Sequence, residues 1–282
     1  MKETRAEHLP VDKLRPFEGH PFKVVDNEEM DQLVWSILTQ GLLTPLVVRP
    51  LDNGEYEVIS GHRRLHACRK AGIETVPALV YTIDRDAAAI ALVDSNLHRE
   101  RILPSEKAFA YKLKMDALSR QGKRTDLTSR QVGEKLSVTQ LSESSNESER
   151  QIHRYIRLTN LVPGILEKVD EGRIALTPAV ELSYLAETEQ KDLLETMESE
   201  DCTPSLSQAI QLKQLSQAGK LDMDTIFGIL TQPKANQREK ISFRTDEVRK
   251  FFPKNYTPAQ MQEVILKLLG EYQRKRQRSQ ER

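Results

Sequence analysis

The chain has 282 residues, of which 30% are charged and only 5% are aromatic, a balance that favours several small helix-rich modules over one large core. Basic and acidic residues number 42 each, so net charge says nothing about a nucleic-acid partner and only local clusters can. Cys68 and Cys202 form no CxxC or Cys/His cluster, which supports neither a disulfide framework nor a zinc site and predicts a reduced, cytoplasmic protein. No apolar run is long enough for a bilayer and the start of the chain lacks a signal-peptide core, so we expect no membrane partner.

The first third of the chain alternates predicted helices and strands. Asp26 and Glu29 form a capping box before a helix that Gly41 ends. The elements that follow are strands at 46–49 and 56–60 joined by a turn at 52–54, a helix at 65–71, a strand at 76–81 and a helix from 84 towards 96. This order predicts a compact α/β unit of about one hundred residues.

The junction between the second strand and its following helix carries the strongest functional signal. Gly61 ends the strand and lets the backbone approach a ligand closely. The helix start leaves amide N–H groups unpaired at the positive end of its dipole, and Arg63 and Arg64 add planar guanidinium groups that suit phosphate oxygens. Together these features predict an anion pocket, best suited to a polyphosphate. The alternative is a solvated basic helix start that pairs with Asp or Glu.

A second polar cluster ends this unit, between Asp94 and Arg101. Asn96 and Glu100 lie one turn apart, on the same helix face. Such a face can hold a hydrated magnesium ion, or can orient a neighbouring arginine through the carboxylate. The alternative is an ordinary polar helix terminus.

The middle third resembles a DNA reader in its pattern. Thr128 and Gln131 form a capping box for a short helix, and a connection at 137–147, longer than the usual turn, leads to a second helix at 149–158. Exposed Gln and Arg on that second helix fit the helix-turn-helix plan, in which arginine reads guanine, glutamine reads adenine and further arginines bind phosphates. The candidate DNA-binding residues are Thr128, Arg130, Gln131, Arg150, Gln151, Arg154 and Arg157. The alternative is a basic surface helix in an all-α linker domain.

The final third gives weaker signals. A linker is predicted at 232–237, a strand at 240–244 and an amphipathic helix at 259–269. The apolar stripe of that helix is typical of a local core, with a dimer interface as the second interpretation. The basic tail at 273–278 supplies salt-sensitive phosphate contacts or is simply a solvated helix end.

Three of these segments, taken in order, resemble ParB/RepB-type partition proteins. They are His20-Pro21-Phe22-Lys23, Gly61-His62-Arg63-Arg64 and Asn96-Leu97-His98-Arg99-Glu100, and in the family they read N-P-x-Q-P-R, G-E-R-R and E-N-L-Q-R-E. The helix-turn-helix of the family also lies where this sequence predicts its two DNA-binding helices. The resemblance implies an α+β fold, with a small α/β ParB-like domain at 1–102, an all-α helix-turn-helix domain at 103–230 and a small, mainly helical C-terminal region at 231–282.

The resemblance also implies a function, which is a CTP-gated dimeric clamp that serves plasmid or chromosome segregation on the nucleoid or plasmid. Its partners would be double-stranded DNA with a specific, palindromic site, a second copy of the chain and a ParA-type ATPase. CTP and Mg²⁺ would be the cofactors, with Asn96 as a metal ligand. The nucleotide-binding residues that it implies are His20, Pro21, Phe22, Lys23, Gly61, His62, Arg63, Arg64, Asn96, Arg99 and Glu100.

Two departures from the family pattern bear on catalysis. His62 stands where many relatives have glutamate, and Ser95 replaces the glutamate before the asparagine. The second change removes a candidate metal ligand or water-orienting group, so we expect nucleotide binding to survive and any CTPase activity to be weak or lost. Two alternatives remain open: a nucleotide-dependent, kinase-like enzyme on the ParB/sulfiredoxin fold with Glu100 as its base, and a plain helix-turn-helix transcriptional regulator. The turn at 61–64 lacks a reactive cysteine, which argues against sulfiredoxin chemistry.

Overall fold

The computed structural model describes residues 4–99, 101–125, 130–145, 147–232, 248–253 and 255–280. The chain divides into two compact units, residues 1–232 and 233–282. The border that the sequence predicts at 102/103 lies inside the first unit and stays a prediction.

The first unit begins with a mixed sheet and continues as a helical bundle. Its strands are β1 Thr4–Pro10, β2 Leu14–Pro16, β3 Leu46–Pro50, β4 Tyr56–Ser60 and β5 Thr75–Tyr81. Its helices are α1 Glu28–Gln40, α2 His62–Lys70, α3 Arg85–Asn96, α4 Pro104–Thr125, α5 Arg130–Ser145, α6 Glu149–Arg157, α7 Pro163–Asp170, α8 Leu176–Leu182, α9 Glu187–Ser199, α10 Leu206–Gln217 and α11 Met223–Leu230. This architecture is α+β, as the sequence predicts.

The sheet has the order β1-β5-β3-β4-β2. The β3–β4 hairpin is antiparallel, as is the β1–β5 pair, whereas β3–β5 and β2–β4 are parallel. The hairpin confirms the turn that the sequence predicts around Gly54. The strands β1 and β2 were not predicted, because edge strands with mostly polar side chains carry no alternating apolar pattern. In β1 only Leu9 is buried.

Adjacent residues of β4 point to opposite faces of the sheet, and each face has its own core. Val58 joins a cluster with Met30 of α1 and Leu65 of α2. Ile59 joins a second cluster with Leu92 of α3 and with residues of α4. The N-terminus of α2 therefore sits at the end of β4, between the helices that cover the two faces.

The helical part of the first unit has a separate large core. Its members include Leu158, Ile165, Leu182, Leu193 and Leu212, all 0% exposed. A smaller cluster of Tyr111, Leu141 and Ile152 joins α4, α5 and α6. These two cores fix the position of α6 from both sides.

Three local predictions are wrong at the level of helix ends. The cap of α1 is Asn27, whose Oδ1 accepts from the Met30 N–H at 3.1 Å, while Asp26 pairs with Lys70. From the sequence we expect the helix that begins at Pro104 to end near Gly122, with a break at 121–126. Instead α4 runs through to Thr125, since one glycine costs a helix only about 1 kcal/mol. The long connection at 137–147 is mostly helix, because buried Val138 and Leu141 hold α5 as far as Ser145.

In the second unit, α12 spans Pro258–Gln280. Met261 is buried, whereas Leu266, Leu268, Leu269 and Tyr272 are all more than half exposed. The apolar stripe that the sequence predicts on this helix is therefore buried only in part. The predicted strand at 240–244, and the predicted linker apart from its first residue, lie outside the described residues. Among the described helices, none combines the length and apolar character needed to cross a membrane.

Candidate functional site

A cavity of about 520 Å³ opens where the N-terminus of α2 meets α1 and α3. That volume lies within the range of small-molecule binding sites. The lining residues are Glu29, Gln32 and Leu33 from α1, Ser60, Gly61, His62, Arg63 and Arg64 from the β4–α2 junction, and Ser95, Asn96 and Arg99 from the end of α3. Two segments that the sequence singles out thus meet at one cavity.

Gly61 shapes the entrance to this cavity. It caps α2 in the left-handed conformation, with φ of 103° and ψ of 24°, and offers no side-chain cap to the helix. A Cβ at this position would lie 2.6 Å from Leu46 Cδ2, so only glycine fits without a shift of the core. The first-turn N–H groups of α2 consequently remain available to an anion.

Three guanidinium groups line the cavity. Arg63 makes a 3.2 Å ion pair with Glu29, and both side chains are exposed. Arg64 donates to the backbone carbonyls of Thr44 and Pro45, which are neutral partners, and burial lowers its pKa. Because only Glu29 supplies a carboxylate among the described lining residues, the cavity carries an excess of positive charge.

Arg99 adds the third guanidinium. It lies over the Phe22 ring, with 5.4 Å from Cζ to the ring centroid. Burial lowers the pKa of Arg99, Glu106 raises it, and the positive charge of Arg63 lowers it further. The repulsion between Arg63 and Arg99 would be relieved by an anion bound between them.

Two neutral histidines support the wall of the cavity. The His20 and His62 rings stack with their centroids 3.7 Å apart, and His62 Nε2 accepts the Phe17 N–H at 3.2 Å. Burial, His20 and Arg99 together lower the pKa of His62 to about 3. Burial lowers the pKa of His20 to about 4, aided by Arg99 and opposed by a backbone hydrogen bond to Phe22. At neutral pH, the positive charge of the cavity therefore comes from its arginines.

Asn96 is the lining residue that the family resemblance implies as a metal ligand. It is 6% exposed, and its Nδ2 donates to the Leu92 carbonyl at 2.7 Å and to Ser95 Oγ at 3.2 Å. The amide oxygen is the atom left to accept a hydrogen bond or to ligate a cation. No group of three His, Cys, Asp or Glu side chains suited to a metal occurs among the described residues.

The other predicted nucleotide contacts lie around the cavity rather than in its lining. His20 and Phe22 support His62 and Arg99 from behind, and Pro21 lies between them in the same loop. Lys23 turns away, since its N–H bonds Glu106 at 2.8 Å and its Nζ bonds Asp170 at 3.2 Å. Glu100 is outside the described residues. The loop thus reaches the cavity through the side chains that it supports.

The sequence did not single out Gln32 and Leu33, and it assigned Glu29 only to a helix cap. Together these three residues form the α1 wall of the cavity. Their spacing of three and four residues places them on one helix face, which is the signal that could have revealed them. Nothing in the sequence alone indicates which face of α1 turns towards Gly61.

The second candidate site is the helix pair α5–α6. Ser148 caps α6 through its hydroxyl, and the Gln151 N–H lies 3.3 Å from Ser148 Oγ. α5 ends at Ser145 and α6 begins at Glu149, so only three residues separate the two helices. This short connection matches the helix-turn-helix plan better than the long one expected from the sequence.

Four of the predicted DNA-binding residues lie on α6. Arg150 is exposed, and Gln151 accepts a 3.0 Å hydrogen bond from Arg154, which also donates to Thr177 at 2.6 Å. Arg157 donates to the hydroxyl and the carbonyl of Ser183 at 3.2 and 3.1 Å. Thr128 is outside the described residues, and Arg130 and Gln131 belong to α5 with side chains outside the described part.

The sequence of the chain is similar to those of known proteins. The family model described as ParB N-terminal domain matches residues 1–97. A nucleoid occlusion protein of Geobacillus kaustophilus (strain HTA426) is 39% identical over 113 residues, which cover 39% of this chain and 40% of that protein. A probable chromosome-partitioning protein ParB of Pseudomonas putida (strain KT2440) is 30% identical over 193 residues, which cover 68% of this chain and 61% of that protein.

Among solved structures, the C-terminally truncated chromosome-partitioning protein ParB of Caulobacter crescentus, complexed with CTP-gamma-S, is 22% identical. The match covers 69% of this chain and 99% of that chain, with a TM-score of 0.32. The chain spans about two fifths to three fifths of the length of the two curated relatives described above.

Proposed function

We propose that the chain, whose residues 1–97 match the ParB N-terminal domain model, is a DNA-binding partition protein whose N-terminal cavity binds CTP. The observation that carries the proposal is the cavity at Gly61, where a helix N-terminus and three guanidinium groups face one carboxylate among the described lining residues. A triphosphate supplies the negative charge that this arrangement lacks. That the nucleotide carries cytosine, and not another base, is inferred from the similarity to ParB-family proteins.

Arg63, Arg99 and the first-turn amides of α2 would hold the phosphates. Arg64 would contribute its charge from a fixed position, because two backbone carbonyls already orient its guanidinium. Mg²⁺ usually keeps several waters and binds through substrate phosphates with one or two protein ligands, a coordination that needs no acidic cluster. The buried Asn96 amide oxygen fits the role of such a ligand, and the ion would neutralise phosphate charge there.

We expect hydrolysis to be weak or absent. Ser95 stands at the end of α3 where the family has glutamate, and its hydroxyl donates to the Leu92 carbonyl at 2.9 Å. Among the described lining residues the one carboxylate, Glu29, is paired with Arg63 on the opposite wall of the cavity. A general base positioned for water attack is therefore missing from the described residues beside Asn96.

The helix pair α5–α6 would recognise duplex DNA, with α6 in the major groove. Arg150 and Gln151, in the first turn of α6, are the side chains placed to read base edges. The exposed apolar residues of α12 are suited to bind a second copy of the chain, which would match a palindromic DNA site. CTP would shift this dimer between open and closed forms, and a ParA-type ATPase would act on the DNA-bound protein.

A second candidate role is nucleoid occlusion, which the relative that is 39% identical favours. Both roles place the protein on the nucleoid and use the same cavity and reader. They differ in the cellular event that the DNA-bound protein serves.

The proposal is tested by equilibrium titration of the purified chain with CTP and with ATP, each with Mg²⁺, in the presence and absence of duplex DNA. A clear preference for CTP supports the partition clamp. Tight ATP binding would point instead to a kinase-like enzyme, and binding of neither nucleotide to a plain transcriptional regulator.

Replacing Arg154 with alanine is expected to weaken DNA binding about ten- to hundredfold, since a charge-assisted contact contributes roughly 1.5–3 kcal/mol. The variant also frees Gln151, which Arg154 orients through a 3.0 Å hydrogen bond. Anisotropy of a labelled duplex at several salt concentrations measures the effect. Arg173→Ala is the control, because Arg173 is an exposed arginine that lies outside α6 and pairs with Asp201. Unchanged affinity at every salt concentration would remove Arg154 from the reader.

A further inference from the structure

A second cavity, of about 670 Å³, lies beside α6 and is bounded by α4 and by the end of α8. Its lining residues are Lys112, Glu149, Arg150, His153, Arg154, Ile156, Arg157, Thr159, Asn160, Val180 and Tyr184. We name this cavity the α4–α6 groove. It extends along the predicted reading helix and reaches α4, which lies outside the helix-turn-helix pair.

The α4–α6 groove carries an excess of positive charge. Its lining contains one lysine and three arginines against one carboxylate among the described residues, that of Glu149. Glu149 Oε1 accepts a 2.7 Å hydrogen bond from Thr139, so it is held by a neutral partner. In a chain with a formal net charge of zero, such local excess marks a surface for an anionic partner.

The cations of the groove are positioned by neutral groups rather than by carboxylates. Arg154 bonds Gln151 and Thr177, Arg157 bonds Ser183, and the ammonium of Lys112 lies 3.4 Å from Thr159 Oγ1. Hydrogen bonds to neutral partners fix the direction of a side chain and leave its charge uncompensated. Preorganised cations of this kind bind phosphate oxygens without first breaking an ion pair.

Tyr184 holds the far end of the groove in place. Arg157 Cζ lies 3.9 Å from the centroid of its ring and Lys213 Nζ lies 3.8 Å from it, so two cations flank one aromatic ring. Lys213 is also paired with Glu181 at 2.8 Å. This arrangement keeps the Arg157 guanidinium at the rim of the groove.

We propose that the α4–α6 groove binds the phosphate backbone of duplex DNA, and that Lys112 is a phosphate contact supplied by α4. The inference rests on the proposed DNA-binding function and deepens it. It separates the base-reading positions, Arg150 and Gln151, from a backbone-binding row formed by Lys112, Arg154 and Arg157. His153, on the same exposed side of α6, borders that row.

The length of the row favours a duplex over a small anion. Arg154 and Arg157 are three residues apart on α6, or about 4.5 Å along its axis, and Lys112 adds a third cation from α4. Three cations on two helices are suited to several phosphates of one DNA strand, which follow each other at about 3.4 Å along the duplex axis. A single bound phosphate would use only part of it.

The test compares Lys112→Ala with the wild type in titrations of a labelled random-sequence duplex over a range of salt concentrations. Loss of one phosphate contact is expected to lower affinity about three- to tenfold and to reduce the slope of log affinity against log salt by about 0.9. Lys191→Ala is the matched control, because Lys191 is an exposed helical lysine on α9 whose ion-pair partner is Glu187. Its affinity and slope are expected to equal those of the wild type.

The outcomes separate the inference from the function on which it rests. If the wild type binds duplex DNA and Lys112→Ala keeps the wild-type slope, the backbone role of the groove is overturned while DNA binding stands. If the wild type binds no duplex at any salt concentration, the proposed function itself fails, and the inference with it. Circular dichroism of both variants confirms that any loss of binding is not a loss of fold.

Discussion

Replacing Arg63 with alanine is expected to weaken CTP binding about ten- to hundredfold and to leave binding to the specific DNA site largely intact. Arg63 lies in the first turn of α2 and lines the cavity together with Arg99, so its removal takes away one charge-assisted phosphate contact worth roughly 1.5–3 kcal/mol. Its carboxylate partner Glu29 is exposed, so the variant leaves no buried charge unpaired. Calorimetric titration with CTP measures the affinity, and a labelled duplex measures DNA binding.

Two companion variants sharpen this test. Arg85→Ala removes a similarly exposed arginine, paired with Glu18 at 2.8 Å, from a position outside the cavity, and CTP affinity should not change. Glu29→Gln removes the carboxylate that competes with phosphate for Arg63, and CTP affinity should rise. Simultaneous loss of CTP and DNA binding in Arg63→Ala would contradict separate modules.

The second large effect is expected at Gly61. Gly61→Ala should lower the free energy of unfolding by about 2–5 kcal/mol, since a left-handed residue costs an L-amino acid roughly 1–2 kcal/mol and overpacking costs a further 1–3 kcal/mol. The new Cβ would lie 2.6 Å from Leu46 Cδ2 and 3.0 Å from the Arg64 guanidinium. The variant should also lose CTP affinity, because the side chains of Leu46 and Arg64 would have to move, and both lie beside the entrance to the cavity.

Gly54→Ala is the matched control for this substitution. Gly54 has φ of +79°, also left-handed, but nothing lies within 4 Å of a Cβ built there. Chemical denaturation of both variants separates the backbone strain that they share from the clash that only Gly61→Ala has. Equal destabilisation of the two variants would show that the contact with Leu46 is not limiting at Gly61.

The parts of the fold that local sequence specifies could be predicted. The turn at Gly54, the end of β4 at Gly61 and the Ser148 cap of α6 all depend on residues within a few positions of each other. That Gly61, Arg63 and Arg64 line one cavity was predictable for the same reason, since they are neighbours in the chain. That Asn96 and Arg99 line the same cavity was expected only from the family resemblance.

Features that depend on tertiary contacts were missed. The α1 wall of the cavity requires knowledge of how α1 docks on α2, which short-range patterns do not contain. The extent of α5 was underestimated because its serine-rich end looks like a loop. In the structure, Ser144 and Ser145 bond back to the Leu141 carbonyl, and buried Leu141 anchors the helix.

The stacked His20–His62 pair is a further example. In sequence, the two histidines are 42 positions apart, and the family pattern has glutamate at the second of them. Their contact, and the neutral state that burial imposes on both, follow from the fold of the loop at 17–23 against the start of α2. The sequence identified both residues as nucleotide contacts, whereas the structure places His62 in the lining and His20 behind it.

We propose that the cavity at Gly61 binds its ligand through phosphate groups. Calorimetric titration of the full chain with CTP, CDP and cytidine, each in the presence of Mg²⁺, measures the contribution of those groups. We expect affinity to fall with each phosphate removed and cytidine to show no measurable binding. Cytidine binding as tight as that of CTP would contradict the proposal, since the three guanidinium groups and the helix N-terminus would then have no role in recognition.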